Sequence, residues 1–403
     1  MSMEGTANYG VFLRLANGAA LRHSLWEVAA NQERAMTHAW VFTGPPGSGR
    51  SIAAKVFAAA LLCENTATPG CGECWACKAV FAGTHSDLLY IHPEGLSISV
   101  ATVREVVRQA SLSPDHGRWR IVIVEDADRL TEGAANAFLK TVEEPPARTV
   151  IILCTPSLDP QDLIVTLRSR CRHVYVPTPK PEEVEALLGR EFPDAEAVRL
   201  AGAITGGHIG RARAFLAHVE VRKRREEVLG LLASIGQGDV AFRKAAALTE
   251  SIRSQVDVML GAKEEEEKAK VLESFGETGT AIRGFKADAA GKAASASAIK
   301  DLEDKHKKRR TRTVRDLYDL ALIDMVGFYR DVLLRSSVGP SAAVLNIDQE
   351  EQIGFWAGKM SPVQALAAID AVMRARELLA YNVGPDLVLS SLVGRLKMAI
   401  VCA

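Results

Sequence analysis

Gly44-Pro45-Pro46-Gly47-Ser48-Gly49-Arg50-Ser51 is the stretch that decides how this chain folds. It keeps the pattern G-x-x-x-x-G-K-[ST] at every defined position but one, where Arg50 stands in place of Lys. In such a loop, consecutive backbone N–H groups and the N-terminus of the following helix cradle phosphate. The Lys reaches the β- and γ-phosphates, and the Ser or Thr hydroxyl holds Mg²⁺. Arg keeps the charge but carries it on a longer, planar fork. Gly44, Gly47, Gly49, Arg50 and Ser51 are therefore candidate nucleotide-binding residues in a degenerate loop. The flanks agree: Ala39–Thr43 reads as a buried strand, and Ile52–Leu62, Ala-rich without Gly or Pro, as a helix. A Gly/Pro surface turn is the bland alternative, and the strand-loop-helix setting weighs against it.

At 403 residues the chain has room for two or three domains and a real core. Lys+Arg and Asp+Glu are both 49, so the formal net charge is zero. That weighs against a protein that coats nucleic acid through bulk charge, and leaves a local basic strip open. Met1–Gly10 is short and mixed, with no secretory signal, and no apolar run is long enough to cross a membrane. The expectation is a cytoplasmic protein with no membrane partner.

Four of the seven cysteines, Cys63, Cys71, Cys74 and Cys77, form the pattern C-x7-C-x2-C-x2-C. Each C-x2-C puts two thiolates on one tight turn, and four thiolates close a tetrahedral Zn²⁺ site. Pro69, Gly70 and Gly72 supply the bends. A redox pair or unrelated thiols are the other readings. A site with four protein ligands has no open position for substrate, so the zinc expected here is structural. Cys154 in an apolar strand and Cys402 at the far end read as core or incidental residues.

Arg120–Val124 is a β-branched run that reads as a buried strand and ends in Glu125-Asp126-Ala127-Asp128. Acidic residues at the C-terminal end of such a strand hold Mg²⁺ and position water. The usual order is Asp then Glu; here Glu125 precedes Asp126, which shifts each carboxylate by about a methylene, and positioned catalysis is sensitive to shifts near ~1 Å. A solvated acidic strand end is the alternative. A further strand, Val150–Cys154, runs into Thr155, placed where a polar sensor of the γ-phosphate would sit. Leu167-Arg168-Ser169-Arg170-Cys171-Arg172 then carries three arginines, which viewed alone could be a basic surface turn.

These pieces in this order resemble the AAA+ clamp-loader subunits of bacterial DNA polymerase III. Gly133–Pro146, with Glu143-Glu144-Pro145-Pro146 at its end, is similar to that family's hallmark helix, as is Thr166–Cys171 with its Ser-Arg-Cys core. The four-cysteine insertion after the loop's helix belongs to the same subunits. The resemblance is dense over about residues 38–178 and weaker through Gly206–Ala212, where Arg211 resembles the lid's second sensor. Within the family, Arg50, the inverted Glu125-Asp126 pair and the stretch Pro93–Val106 resemble the non-hydrolysing delta-prime branch rather than the ATP-hydrolysing gamma/tau branch. The long Pro-rich tail of tau is also missing from this sequence. The resemblance implies a stator with little or no ATPase of its own. Its Arg170 would act in trans as an arginine finger on ATP held by a neighbouring gamma/tau subunit, an effect of roughly 10³–10⁵ in rate. It implies gamma/tau and delta subunits as partners, with the sliding clamp and primed DNA met through the assembled complex.

The organisation expected is an α/β P-loop (AAA+) parallel-sheet domain with a zinc insertion over residues 1–178, a small helical lid over 179–223, and an all-α collar over 224–403. Pro177, Pro179 and Pro181 mark the linker, and Arg224–Leu260 is helical in pattern. Residues 262–312 form a charged insertion, read as an exposed helical excursion or a partly disordered loop. Its basic end, Lys305–Arg310, reads as a solvated face, with DNA contact as the alternative. Apolar residues at helical spacing from Val314 to Val332, a Ser361-Pro362 helix start and the ending Leu378–Asn382 complete the collar. Two competing functions stay open: an active ATPase of the gamma/tau type, and a zinc-dependent DNA-binding protein with a relic loop. ATP/Mg²⁺ binding by this chain is left undecided.

Overall fold

The computed structural model describes residues 9–93, 95–275, 289–381 and 383–401. Met1–Asn8, Glu94, residues 276–288 of the charged insertion, Asn382, Cys402 and Ala403 lie outside them. The chain divides into two compact units, Met1–Leu216 and Ala217–Ala403.

In the first unit, a 3₁₀ turn over Gly10–Arg14 leads into α1 (Gly18–Ala30) and α2 (Gln32–Ala35). Then come β1 (Ala39–Thr43), α3 (Arg50–Leu61), α4 (Trp75–Ala82), β2 (Leu88–Ile91), α5 (Val100–Ala110), β3 (Arg120–Val124), α6 (Glu132–Glu143), β4 (Thr149–Thr155), α7 (Val165–Arg168) and β5 (Arg172–Tyr175). The five strands are all parallel, in the order β2-β3-β4-β1-β5. β1 and β3 are buried along their length because both faces of the sheet are covered. Trp40 and Phe42 pack on one side with α1, α3 and α4, and Val41 packs on the other with α5 and α6. The period-2 alternation of a strand makes that division. β4 lies between β1 and β3, with Thr155 level with Thr43, so the phosphate loop, the acidic strand end and Thr155 all emerge on one edge. β5 was not legible in the sequence, since three of its four residues are exposed and its first, Arg172, ends the run that reads as a basic turn. Pro181 at the first helical position starts α8 (Pro181–Leu188); α9 (Ala195–Ile204) and α10 (Ile209–Ala217) follow. These three close on a small core of Val184, Leu188, Val198, Ala201 and Ala212.

Among its described residues the second unit is built of helices: α11 (Val219–Leu232), α12 (Val240–Ser274), α13 (Ala289–Val338), α14 (Glu350–Lys359), α15 (Pro362–Ala380) and α16 (Pro385–Val401). The Arg224–Leu260 stretch is two helices, broken where Gly238 adopts φ +64°. α11 runs unbroken through Lys223. The expected cap at Ser361 is present as a capping box with Gln364. Residues Val314 to Val332 supply the core stripe, with Met325, Phe328 and Tyr329 fully buried. Arg225 anchors the loop before α14, with Nη1 donating to Oδ2 of Asp348 at 2.5 Å and Nη2 to Oδ1 of Asn346 at 2.9 Å.

The described parts of the charged insertion are helical, and α12 and α13 face each other there through ion pairs. Nη1 of Arg309 and the ring of His306 both meet Oε2 of Glu267, at 2.9 and 2.8 Å, and Lys268 donates to Glu303 at 2.8 Å. The basic run is thus split. His306, Arg309 and Arg310 turn toward α12, while Lys305, Lys307 and Lys308 are exposed.

Candidate nucleotide site and metal centre

The loop between β1 and α3 takes the shape its glycines require. Gly47 has φ +88°, and a Cβ there would collide with the His208 ring at 2.3 Å. A Cβ at Gly44 would lie 2.1 Å from the Val176 carbonyl oxygen. Asn17, buried ahead of α1, ties the loop down. Its Nδ2 donates to the Ser48 and Pro177 carbonyls, both at 2.5 Å. No pattern in the sequence marked Asn17, because its partners lie 31 and 160 residues away.

The groups expected to meet nucleotide are engaged with each other. Nη1 of Arg50 donates to the Gly44 carbonyl at 2.7 Å. The Ser51 hydroxyl donates to Oε1 of Glu125 at 2.5 Å, and the Tyr90 hydroxyl donates to Oε2 at 2.5 Å. Both oxygens of the carboxylate that stands where a Mg²⁺-organising acid would be are therefore capped by hydroxyls. Burial, then the nearby Glu125 charge, pushes the Tyr90 phenol well above its ordinary value, so it stays a donor. Lys55 of α3 lies over the Tyr90 ring, 4.3 Å from its centroid. Tyr90 was missed by the sequence reading; it sits on β2, a strand with no charged signature.

Asp126 adopts φ +51°, and its Oδ2 lies 3.9 Å from Nε of Arg129. Burial, then the Asp126 charge, raises the Asp128 carboxyl above its usual range. Thr155 is fully buried, and its hydroxyl reaches the Asp162 carbonyl at 3.5 Å. From the other side His208 closes over the loop. Its Nδ1 accepts from the Arg211 backbone N–H at 3.3 Å, which fixes the neutral tautomer. Burial, then the Arg211 and Arg50 charges, pushes its pKa down to about 4.

The three arginines after β4 differ. Arg168 donates to the Leu158 carbonyl at 3.2 Å. Arg172 donates to the Ala35 carbonyl at 2.8 Å and stacks over Trp40. Arg170 is exposed, holds the Thr166 carbonyl at 2.9 Å and pairs with Glu143 at the end of α6, Nη2 to Oε1 at 2.6 Å.

Cys63 follows α3, Cys71 and Cys74 lie on the next turns, and Cys77 is in α4. The four sulfurs all lie within 4.8 Å of one another, with Cys63 at 3.6 Å from Cys71 and 3.9 Å from Cys74. Sulfurs each about 2.3 Å from one tetrahedral metal are about 3.8 Å apart, so the cluster fits such an ion. Backbone N–H groups of Cys71, Cys74 and Cys77 point at the sulfurs at 3.4–3.5 Å, the arrangement that stabilises thiolates. The neighbouring Cys77 thiol holds Cys63 down at about 4, and Cys63, then burial, pushes Cys77 upward. Gly70 bonds the module to the start of the chain, its carbonyl accepting from the Val11 N–H at 2.8 Å. Next to the module, buried Asp87 accepts from the backbone N–H groups of Asp115, His116 and Gly117 at 2.6–2.8 Å and from Arg120 at 3.3 Å.

A parallel five-stranded α/β domain of the AAA+ type, carrying a four-cysteine cluster that could bind a metal ion and followed by an all-helical region, is the class these features define. Residues 23–180 match the family model described as DNA polymerase III, delta subunit. A DNA polymerase III subunit delta' of Pseudomonas aeruginosa is 36% identical over 191 residues, 46% of this chain and 57% of that protein. The Escherichia coli subunit delta' is 34% identical over 216 residues, 53% of this chain and 64% of that protein. A subunit tau of Bacillus subtilis is 33% identical over 171 residues, 42% of this chain and 29% of that protein. Over residues 23–180 the chain is thus similar to the delta' proteins of DNA polymerase III. The matched stretch spans 57–64% of the length of those two delta' relatives. Among the described residues, no helix is long and apolar enough to cross a membrane.

Proposed function

We propose that this chain is the stator of a clamp loader: a cytoplasmic delta-prime subunit that does not turn over ATP and that supplies Arg170 to a neighbouring gamma/tau subunit. The observation that carries the first half is the Arg50–Gly44 bond beside the Ser51–Glu125–Tyr90 chain. Binding Mg²⁺-ATP there requires Arg50 to release a carbonyl, Ser51 to release a carboxylate and His208 to leave Gly47. Each step gives up a formed contact before any phosphate contact replaces it.

Exposure and tethering support the second half. Of the three arginines, Arg170 has its guanidinium in an exposed ion pair, 39% and 44% accessible at the two side chains. Such a pair is worth about 0–1 kcal/mol and can be exchanged for a phosphate. A guanidinium placed against a γ-phosphate neutralises charge that develops in the transition state. The helical unit would be the collar through which gamma/tau and delta subunits assemble. The sliding clamp and primed DNA would be met by the assembled ring. The four thiolates would hold one structural Zn²⁺.

An active ATPase of the gamma/tau type is the second reading, favoured by the intact strand-loop-helix and by the tau relative's similar identity. Purified chain assayed alone with ATP and primed DNA separates the two. Turnover at background level supports the stator; DNA-stimulated turnover replaces it with the ATPase.

A further inference from the structure

Residues 10–17 join the cysteine module to the phosphate loop and belong to neither. At one end, the Val11 N–H donates to the Gly70 carbonyl at 2.8 Å. Gly10 has φ +41°, and a Cβ there would lie 2.0 Å from the same carbonyl oxygen and 2.9 Å from the Cys71 carbonyl carbon. Only glycine allows the segment to lie this close to the module. In between, Val11, Phe12 and Leu15 are buried in the core that α3 and Cys77 share. Nη1 of Arg22 donates to the Leu15 carbonyl at 2.9 Å. At the other end, buried Asn17 donates both N–H groups of its amide, one to Ser48 and one to Pro177.

The two ends differ in what fixes them. From Cys63 to Cys74 the chain has no helix or strand and no large apolar side chain. Such a stretch has no core of its own, so the position of Gly70 depends on what joins the four sulfurs. Asn17, by contrast, meets two moving parts. Ser48 lies in the phosphate loop, and Pro177 lies in the linker from β5 to α8, ahead of the lid helices that bring His208 over Gly47. A shift at Gly70 has little slack to absorb it, because the segment is hydrogen-bonded at both ends and buried between them.

We propose that residues 10–17 are a strap through which metal occupancy of the cysteine module sets the order of the phosphate loop and of the lid's joint. The proposal rests on the reading that the four thiolates hold a metal ion. With the ion bound, Gly70 is fixed, the strap is seated, and Asn17 holds Ser48 and Pro177 together. Without it, the stretch around Gly70 loosens, Val11 loses its acceptor, and Asn17 drops out of register. The Ser48 and Pro177 carbonyls then lose their shared donor, and an unmade buried hydrogen bond is costly. β3 and β4 are held by their own ladder and core, so the response is confined to the strap, the loop and the joint.

The test is amide hydrogen exchange on the full chain, zinc-loaded and after a chelator has stripped it, with metal content measured on the same samples. Stripping should speed exchange about tenfold or more in residues 10–17 and 44–53 and leave β3 and β4 protected. Asn17→Ala keeps all four cysteines. It should take up zinc normally, and its loop should exchange fast with or without the metal. Gly10→Ala pushes the strap off Gly70 and leaves Asn17 in place, with the same result expected; it decides the matter should Asn17→Ala misfold. The proposal is overturned if the loop ignores stripping, or if β3 and β4 lose protection equally, which is general unfolding. A metal response in both variants as large as in wild type would also overturn it and assign the effect to the contact between Cys77 and Ala59 of α3. A chain that takes up no zinc overturns the metal reading and the strap with it. A zinc-loaded chain whose loop is indifferent to the metal overturns the strap alone.

Discussion

The guanidinium of Arg50 donates to the carbonyl oxygen of Gly44, 2.7 Å away, so the loop's own cation is bound to the loop that carries it. A lysine there is a point charge on a flexible stem; arginine has five donors in a planar fork and can close back on a nearby acceptor. The same closure repeats one residue on, where the Ser51 hydroxyl meets Glu125 rather than a metal ion.

For that reason Arg50→Lys alone should restore little ATP binding or hydrolysis. Releasing the Gly44 carbonyl leaves the Ser51–Glu125–Tyr90 chain and the His208 ring in place. The expected gain in affinity for a fluorescent ATP analogue is under about tenfold, a change of under 1.4 kcal/mol. Recovery of full DNA-stimulated turnover by this single change would refute the closed-site account.

Arg170→Ala should leave the melting temperature of the isolated chain nearly unchanged. It removes one exposed ion pair to Glu143, worth under about 1 kcal/mol. In the reconstituted loader, ATPase and clamp loading should fall by about 10²-fold or more at one site, and Arg170→Lys should rescue poorly. Wild-type loading rates with Arg170→Ala would rule out the finger; loss of stability in proportion to loss of activity would make Arg170 an anchor of its own turn.

Metal analysis of purified protein should give about one zinc per chain, and Cys77→Ser should lower both zinc content and melting temperature. Cys77 is buried in α4, and its sulfur lies 3.6 Å from the Ala59 carbonyl of α3, so loss of the ion would be felt by the helix behind the phosphate loop. Four freely reactive thiols without metal would leave the cluster as unrelated cysteines.

His208 gives a pH signature. Its folded pKa is lowered to about 4 from 6.5, so the unfolded chain takes up this proton first as pH falls. The stability of the neutral, buried ring is fully present above about pH 6.5 and is lost progressively between 6.5 and 4. Comparing melts at pH 7 and 4.5, the wild type should lose about 1–2 kcal/mol more than His208→Asn. Equal losses would mean the ring is not held neutral over Gly47.

Asp87→Ala should destabilise the first unit by about 3–5 kcal/mol, because it leaves the buried Arg120 guanidinium and three backbone N–H groups without their shared acceptor. Burial works against the Asp87 charge, but those donors prevail and hold its carboxyl below 3.8. Its contribution is therefore present above about pH 4 and lost as pH falls below. The double change Asp87→Ala with Arg120→Met should recover part of the loss in denaturant melts.

The sequence by itself determined the parts whose physics is local. Strand β1, the Gly44–Ser51 loop and helix α3 follow from an apolar run, fixed glycine positions and an Ala-rich segment. The four cysteines are close in sequence, so their convergence needed only two tight turns. Ser361 caps its helix through a residue three positions on. Tertiary structure decided whatever depends on residues far apart. Whether Glu125 is open to a metal rests on Tyr90, 35 positions away. Whether Gly47 is open to phosphate rests on His208, brought over it by helices of the lid. Spacing rules reach a turn or two along the chain; whether a donor is occupied or a carboxylate is shut off from water is settled only when distant segments pack together.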